Sequence, residues 1–311
     1  MVFSHRKSFS KQIIILFLII LFIVIFLFIK QEKYIETNSN YFVWSACNAD
    51  DTTSVLCTNT IYFHHNSDFK IEPYANCQKP SYDNLQYPYQ YGNTFYYTTT
   101  NLKTGEDCIL AIPDDKPQDN STNTGEILLS QHGTISYKRA TKNTIYYLLH
   151  LQNGTAQIHA FHKSTKQDTQ VVKAVNPDSS FDVREDGAIL FVNVDSEIIL
   201  IQNGMEQNFG TGTTACFWNQ DQIITVTEDG VFTITLSNQK KQKISKKTGY
   251  EIVLDPYGDN IALCAKLEYP FGPGFYYTAI YVMDLKNKYT FEIPCVPETC
   301  YGIAWFSTEY P

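Results

Sequence analysis

Several motifs that would identify an enzyme or a metal centre are missing from this chain of 311 residues. No G-x-S-x-G occurs, so the nucleophile turn of an α/β-hydrolase is absent. No C-x-x-C occurs, which excludes a zinc ribbon and a thioredoxin-like redox site. The acidic pairs Asp50–Asp51 and Asp114–Asp115 lack the alternating spacing of a calcium-binding loop. We therefore expect no catalytic residues and no cofactor, although an enzyme is not excluded.

The few histidines offer no metal site either. His64 and His65 are adjacent, and neighbouring side chains in a strand point to opposite faces of the sheet. His159 and His162, three residues apart, diverge in the same way. Surface exposure or ordinary packing is the expected role of all four, and no metal ligands are predicted.

Acidic residues are absent before Glu32. In their place, an unbroken run of 17 apolar residues, Ile13–Ile29, follows Arg6, Lys7 and Lys11. As a helix this run would be ~25 Å long, near the lower limit for crossing a hydrocarbon core, and its positive flank favours a cytoplasmic N-terminus. We expect a cytoplasmic tail over 1–12, a transmembrane signal anchor over 13–29, a linker over 30–40 and an extracytoplasmic domain over 41–311.

Small residues are also missing where a signal peptidase would need them. The apolar run is followed by Lys30–Glu36, in which no residue is small. The run is also longer than the ~7–15 residues of a usual signal core. An uncleaved anchor is therefore favoured over a cleaved signal, which stays the alternative.

Positive charge is scarce in the part beyond the apolar run. Four of the 24 Lys and Arg belong to the tail and the anchor edge, which leaves 20 against 32 Asp and Glu, a net charge of −12. Such a surface repels phosphate backbones, so nucleic acid is not an expected partner. We expect membrane contact through Ile13–Ile29 and a protein or small-molecule partner outside the cytoplasm.

The eight cysteines all follow the apolar run. Cys47 and Cys57 bracket a polar segment, and Cys295 and Cys300 bracket Val-Pro-Glu-Thr, so both pairs are disulfide candidates in an exported domain. Of the four remaining cysteines, Cys216 and Cys264 stand inside apolar runs, which favours buried thiols.

Helical periodicity is nearly absent after Lys33, and short runs rich in Val, Ile, Thr, Tyr and Phe replace it. These runs form four-strand units, whose first turn recurs at Asp186, Asp221 and Asp259 with periods of 35 and 38 residues. Five units cover about 84–294. A repeated four-strand unit of this length is typical of a β-propeller blade.

Two segments of the last unit resemble TolB-like and dipeptidyl-peptidase-type propeller repeats, the match covering residues 250–294. They are Leu254-Asp255-Pro256-Tyr257-Gly258-Asp259-Asn260-Ile261-Ala262-Leu263 and Ile280-Tyr281-Val282-Met283-Asp284-Leu285. The resemblance implies an all-β fold, a propeller of about six four-stranded blades. It implies no activity, because such repeats are scaffolds in unrelated proteins. A β-sandwich is the alternative that short alternating strands leave open.

Both ends of the chain are needed to complete such a ring. Strand-like segments occur at Thr60–His65 and Phe69–Tyr74, and a single strand remains at Ile303–Phe306. An unpaired strand would expose its backbone donors and acceptors. We therefore predict that Ile303–Phe306 pairs with a strand from about residues 41–74.

One loop interrupts the repeat with aromatic residues. The segment 267–276 contains Tyr269, Phe271, Phe275 and Tyr276 on a Pro/Gly framework, and loops on a rigid scaffold often bind ligands. We predict these four as binding residues of a non-enzymatic recognition module. The alternatives are a hydrolase or lyase acting on glycans or peptides in the central cavity, and a structural component of an envelope complex.

Overall fold

The computed structural model describes residues 41–47, 54–60, 70–75, 82–101, 103–113, 125–255, 258–268, 276–293 and 299–306. Within these ranges every regular element is a β-strand, and no helix is long and apolar enough to cross a membrane. The predicted anchor, Ile13–Ile29, lies outside the described residues.

The described strands form six four-stranded antiparallel sheets. Sheet I combines β1 (Tyr41–Cys47), β2 (Ser54–Thr60) and β3 (Lys70–Ala75) with β24 (Thr299–Phe306). Sheet II contains β4 (Tyr82–Tyr91), β5 (Thr94–Asn101), β6 (Asp107–Pro113) and β7 (Glu126–Gln131). Sheet III contains β8 (Thr134–Ala140), β9 (Thr144–His150), β10 (Ala156–His162) and β11 (Asp168–Val175).

The remaining three sheets follow the same plan. Sheet IV contains β12 (Asp182–Val183), β13 (Ile189–Val192), β14 (Glu197–Gln202) and β15 (Met205–Thr211). Sheet V contains β16 (Thr214–Phe217), β17 (Gln222–Thr227), β18 (Gly230–Thr235) and β19 (Lys241–Ser245). Sheet VI contains β20 (Glu251–Leu254), β21 (Asn260–Glu268), β22 (Tyr276–Asp284) and β23 (Thr290–Ile293).

One edge strand of each sheet touches its counterparts in the two neighbouring sheets. Contacts join β24, β4, β8, β12, β16 and β20 in that order, and β20 returns to β24. We call these six the inner strands. This cyclic order is the arrangement of a β-propeller, as the sequence predicts, and it excludes the β-sandwich alternative.

Apolar clusters fill the spaces between neighbouring sheets. One cluster joins sheets II and III, another joins III and IV, a third joins IV and V, and a fourth joins V and VI. Both faces of a middle strand are therefore buried, which explains runs such as Ile189–Val192, where all four residues are buried. Cys216 and Cys264 lie in these interiors as buried free thiols, as predicted.

The predicted pairing of the chain ends is confirmed. β24 runs antiparallel to β1, with Tyr41 opposite Phe306 and Val43 opposite Ala304. β1 and most of β2 are not among the predicted strands, because a polar segment lies between Cys47 and Cys57 in the sequence.

The strand register shows that the Cys47–Cys57 bridge was wrong. Cys47 lies opposite Ser54, whereas Cys57 lies opposite Trp44, three residues further along β1. Three residues of strand span about 10 Å, and a disulfide needs Cα atoms within about 7 Å. Cys300 lies in β24 opposite Ala46. Its predicted partner, Cys295, lies outside the described residues, so that bridge stays a prediction.

Candidate functional site

The predicted aromatic binding loop is largely beyond the described part of the chain. Tyr269, Phe271 and Phe275 lie outside the described residues, and Tyr276 begins β22, where it pairs with Glu268. The structure therefore leaves these four binding residues as a prediction. It shows two other features instead, a buried charge network at the inner strands and an open groove between two sheets.

The charge network centres on β8 of sheet III. Lys138 and Arg139 are only 1% and 6% exposed, and Glu251 at the start of β20 is 2% exposed. A β-bulge between Ser136 and Lys138 shifts the pairing of β8 with β9 at this point. Buried charges at adjacent positions are costly, so each must find partners.

Arg139 links sheet III to two others, and Asp182 extends the connection to a fourth sheet. Its Nε donates to Asp182 Oδ1 at 3.2 Å, and its guanidinium carbon lies 5.3 Å from the centre of the Tyr89 ring. Asp182 Oδ2 in turn accepts from the backbone N–H of Phe217 at 2.9 Å. Burial raises the pKa of Asp182, and the neighbouring Arg139 limits that rise. These contacts tie sheets II, III, IV and V together near the inner strands.

Lys138 and Glu251 are less completely paired. Lys138 Nζ donates to Thr98 Oγ1 at 2.5 Å, and burial holds its pKa well below the ordinary value. Glu251 Oε1 accepts from the backbone N–H of Ile303 at 3.0 Å, but among the described residues its Oε2 has no hydrogen-bond partner. Burial raises the pKa of Glu251 to about 7, against the opposing charges of Arg139 and Lys138.

The hydrogen bonds of two histidines, His150 and His159, bear on the enzyme alternative. Ser136 Oγ and His150 Nε2 lie 2.7 Å apart, the spacing of a nucleophile and its base, yet Ser136 is completely buried and out of reach of a substrate. His159 uses Nδ1 with Asp168 at 2.9 Å and Nε2 with Gln157 at 3.3 Å, so both its ring nitrogens are occupied.

His162 contacts Thr144 and shares no partner with His159. The side chains of His159 and His162 therefore diverge, as predicted. Within the described residues, no cluster of three or more His, Cys, Asp and Glu side chains could hold a metal ion.

The groove lies between the outer parts of sheets III and IV and has a volume of about 770 Å³. Its apolar floor includes Phe191, Ile199 and Ile201 of sheet IV, which belong to or border the cluster between these sheets. One side is formed by residues 171–174 of β11 and the other by residues 206–208 of β15. The groove is therefore the place where the core between two sheets opens to solvent.

Exposed apolar side chains are concentrated at this groove. Among the described side chains, four large apolar residues are exposed, and three of them are Val171, Val194 and Met205, at 38%, 55% and 71%. Val171 and Val194 line the groove, and Met205 immediately precedes Glu206, which also lines it. Exposed apolar clusters rimmed by polar residues mark interaction surfaces.

A β-bulge in the outer strand explains why the groove is open. In β11 the bulge holds Lys173 and Ala174, between the pairs Val172–Ile158 and Val175–Ala156. Both bulge residues are exposed. The corresponding bulges of sheets II, IV and V contain a large apolar residue that packs into the adjacent core: Leu128, Phe209 and Ile244.

The groove is not among the features predicted from the sequence, because it depends on the bulge that holds Lys173 and Ala174 of β11. A comparison of the outer strands of the repeats could have located the groove. The bulges of sheets II, IV and V contain Leu, Phe or Ile, whereas that of sheet III contains Lys173 and Ala174.

No protein-family model matches the chain, and no curated protein matches it. Its structure is similar to TolB from Acinetobacter baumannii, with a TM-score of 0.61 and 14% identity over 86% of this chain and 66% of that chain. It also matches a prolyl endopeptidase (TM-score 0.46, 14% identity, 84% and 42% coverage) and the β-propeller domain of the Trilobed protease from Pyrococcus furiosus (TM-score 0.42, 15% identity, 67% and 71% coverage).

The TolB similarity defines the class of fold and nothing finer. The chain spans less than two thirds of the TolB chain and 42% of the prolyl endopeptidase. At 14% identity, the TolB similarity shows a β-propeller without indicating what it binds. The resemblance to TolB-like propellers that the sequence predicts is confirmed at this level.

Proposed function

We propose that this protein is a non-enzymatic recognition module whose β-propeller binds a partner protein in the groove between sheets III and IV. The exposure of apolar side chains at that groove carries the proposal, since leaving Val171 and Val194 in water has no structural benefit. In this proposal the six sheets act as six blades of one closed ring, a rigid frame that holds the groove open.

The proposed location is the extracytoplasmic side of a membrane. The apolar run Ile13–Ile29, with Arg6, Lys7 and Lys11 before it, supports a single-pass anchor with a cytoplasmic N-terminus. The net charge of −12 beyond the run supports a domain that projects away from anionic lipid rather than lying against it.

The other classes of function receive less support from the described residues. For an enzyme, Ser136 of the Ser136–His150 pair is completely buried, and Glu251, whose pKa burial raises to about 7, is 2% exposed. For a structural component, a broad apolar face would be needed, and among the described side chains only four large apolar residues are exposed, two of which line the groove.

The test is site-specific photo-crosslinking with the full chain in membranes of its native host. A benzophenone side chain replaces Val194 in the groove or, as a control, Glu228, which is exposed in a turn of sheet V. We expect a discrete adduct from position 194 and none from position 228. Addition of Ala174→Phe should abolish that adduct, because the new ring occupies the part of the groove beside residue 174.

Equal crosslinking at both positions would show that the groove is not the binding surface. The same membranes test the anchor. After washing at alkaline pH, the protein should remain in the pellet with its original N-terminus. Recovery of a soluble species that begins near residue 31–47 would contradict the anchor and leave the groove proposal untouched.

A further inference from the structure

We propose that the groove between sheets III and IV takes an extended peptide segment of a partner protein, with one large apolar side chain flanked by Lys or Arg. The apolar side chain fills the space beside Ala174, and the basic side chains face Asp195 and Glu206. This inference rests on the proposed function and specifies the chemistry of its partner.

The requirement for an apolar side chain follows from the bulges in the outer strands of the other sheets. In the outer strands of sheets II, IV and V, the space beside the bulge is filled from within by Leu128, Phe209 or Ile244. The space beside Ile244, bordered by Met283 and Leu285, has a volume of only about 10 Å³. A partner side chain of similar size would complete the interface between sheets III and IV as these residues complete theirs.

The requirement for an extended backbone follows from the strands at the sides of the groove. Within the described strands, β11 pairs only with β10 and β15 pairs only with β14, so each offers one free edge. Free edges recruit extended segments through backbone hydrogen bonds. A compact small molecule would use neither edge.

The basic requirement follows from the charges that line the groove. They are Lys173, Asp195, Glu197 and Glu206, a net charge of −2. Asn193 Nδ2 already donates to Glu197 at 2.9 Å. Among the described residues, neither Asp195 nor Glu206 forms an ion pair. Two carboxylates are thus available to cationic side chains, which would bring specificity and faster association.

The probe is a blocked, fluorescently labelled peptide, Lys-Thr-Phe-Thr-Lys, in which alternation places both Lys and the Phe on one face of a strand. Its anisotropy is measured against the full chain in nanodiscs of zwitterionic lipid, with empty nanodiscs as the background. Replacement of Phe by Ala should weaken binding about 10-fold or more, because burial of a Phe side chain is lost.

Protein variants give the reciprocal evidence. Ala174→Phe should abolish binding of the peptide. Glu206→Lys should weaken it several-fold and should reduce the loss of binding caused by changing both Lys of the peptide to Glu, whereas Glu228→Lys, with the same charge change on sheet V, should alter neither. Binding that is indifferent to the Phe, to the Lys or to Ala174→Phe would overturn the proposal. Equal competition by phenylalanine amide would also overturn it, in favour of a small-molecule site.

The two proposals fail in different ways. If position 194 still crosslinks a partner and Ala174→Phe still blocks it while the peptide series shows none of these dependences, the recognition function stands and the extended basic segment is wrong. If the crosslink at position 194 is also absent, the groove itself is not a binding surface.

Discussion

The interface between sheets III and IV and the interface between sheets V and VI have the same construction but differ at their outer strands. Each has a buried apolar cluster, and the outer strand that borders each contains a β-bulge. In β19 the bulge residue is Ile244, and the space beside it is about 10 Å³. In β11 the bulge holds Lys173 and Ala174, and the space is about 770 Å³. One position in the repeat thus decides whether an interface is closed or open.

The open interface keeps its inner core. Val172 and Val175, on either side of the β11 bulge, are both buried in the cluster between sheets III and IV. The groove therefore lies outside a packed core and does not replace it. This arrangement separates the residues that stabilise the ring from the residues available for binding, which is what a recognition surface on a rigid scaffold requires.

The largest effect should come from opening the ring, which affects both interfaces together. Deletion of residues 301–311 removes most of β24, its pairing with β1 and the N–H of Ile303 that Glu251 accepts. We expect a loss of more than about 4 kcal/mol, a large part of the stability of an ordinary domain, measured as urea unfolding of the full chain in detergent. Deletion of residues 307–311 alone, which spares β24, is the control. Equal unfolding midpoints for both truncations would contradict the role of β24 in closure.

The next effect concerns the charge network, which joins sheet III of the open interface to sheet VI of the closed one. Folding raises the pKa of Glu251 from 4.5 to about 7. Between these two pH values the folded protein keeps the Glu251 proton, whereas the unfolded chain has released it. Stability from this group is therefore greatest below pH 4.5 and falls as pH rises to 7, by roughly 3 kcal/mol.

Glu251→Gln should remove that part of the pH dependence, in unfolding curves recorded from pH 4.5 to 7.5. The control is Glu292→Gln, which changes an exposed carboxylate of β23. Identical pH profiles for wild type and Glu251→Gln would show that burial does not perturb this carboxyl in solution.

A smaller effect should follow from opening the closed interface. Ile244→Ala removes the half-buried side chain that fills the bulge of β19, at an expected cost of about 1–2 kcal/mol in urea unfolding. The matched change at the open interface, Val171→Ala, removes a side chain that is 38% exposed and should cost less than about 0.5 kcal/mol. Equal costs would remove the energetic distinction between the two interfaces.

The smallest effect should come from closing the open interface. Ala174→Phe adds an aromatic side chain to the bulge of β11, as the bulge of β15 has one at Phe209, and we expect a gain of up to about 1 kcal/mol in urea unfolding. Ala174→Ser, which adds no apolar volume, should change the unfolding free energy little. A clear destabilisation by Ala174→Phe would mean that the groove cannot accept the ring.

Much of the fold could be predicted from the sequence because its signals are local. Short β-branched and aromatic runs between turn residues locate the strands of sheets II to VI to within a few residues, and the recurrence of Asp186, Asp221 and Asp259 predicts their common plan. The unpaired run Ile303–Phe306 predicts closure, since a strand edge needs a partner. The burial of Cys216 and Cys264 follows from their apolar neighbours.

The predictions that failed or missed depend on register. Cys47 and Cys57 are close in sequence, but the pairing of β1 with β2 places Cys57 opposite Trp44, three residues away from Cys47. Lys138, Arg139 and Glu251 are unremarkable charged residues in the sequence, and the convergence of the inner strands buries them near one another. No local sequence pattern predicts this convergence of the inner strands, because the converging strands belong to sheets that are far apart in the chain.

The sequence by itself determined the class of fold, the position of most strands, the joining of the chain ends and the acidic character of the domain, since composition and period express these locally. The tertiary structure alone decided that the bulge of β11 leaves a groove while that of β19 is filled. The physical reason is that a groove is an absence of packing between two sheets, and which side chain stands beside which gap is settled by strand register and by the way neighbouring sheets face each other.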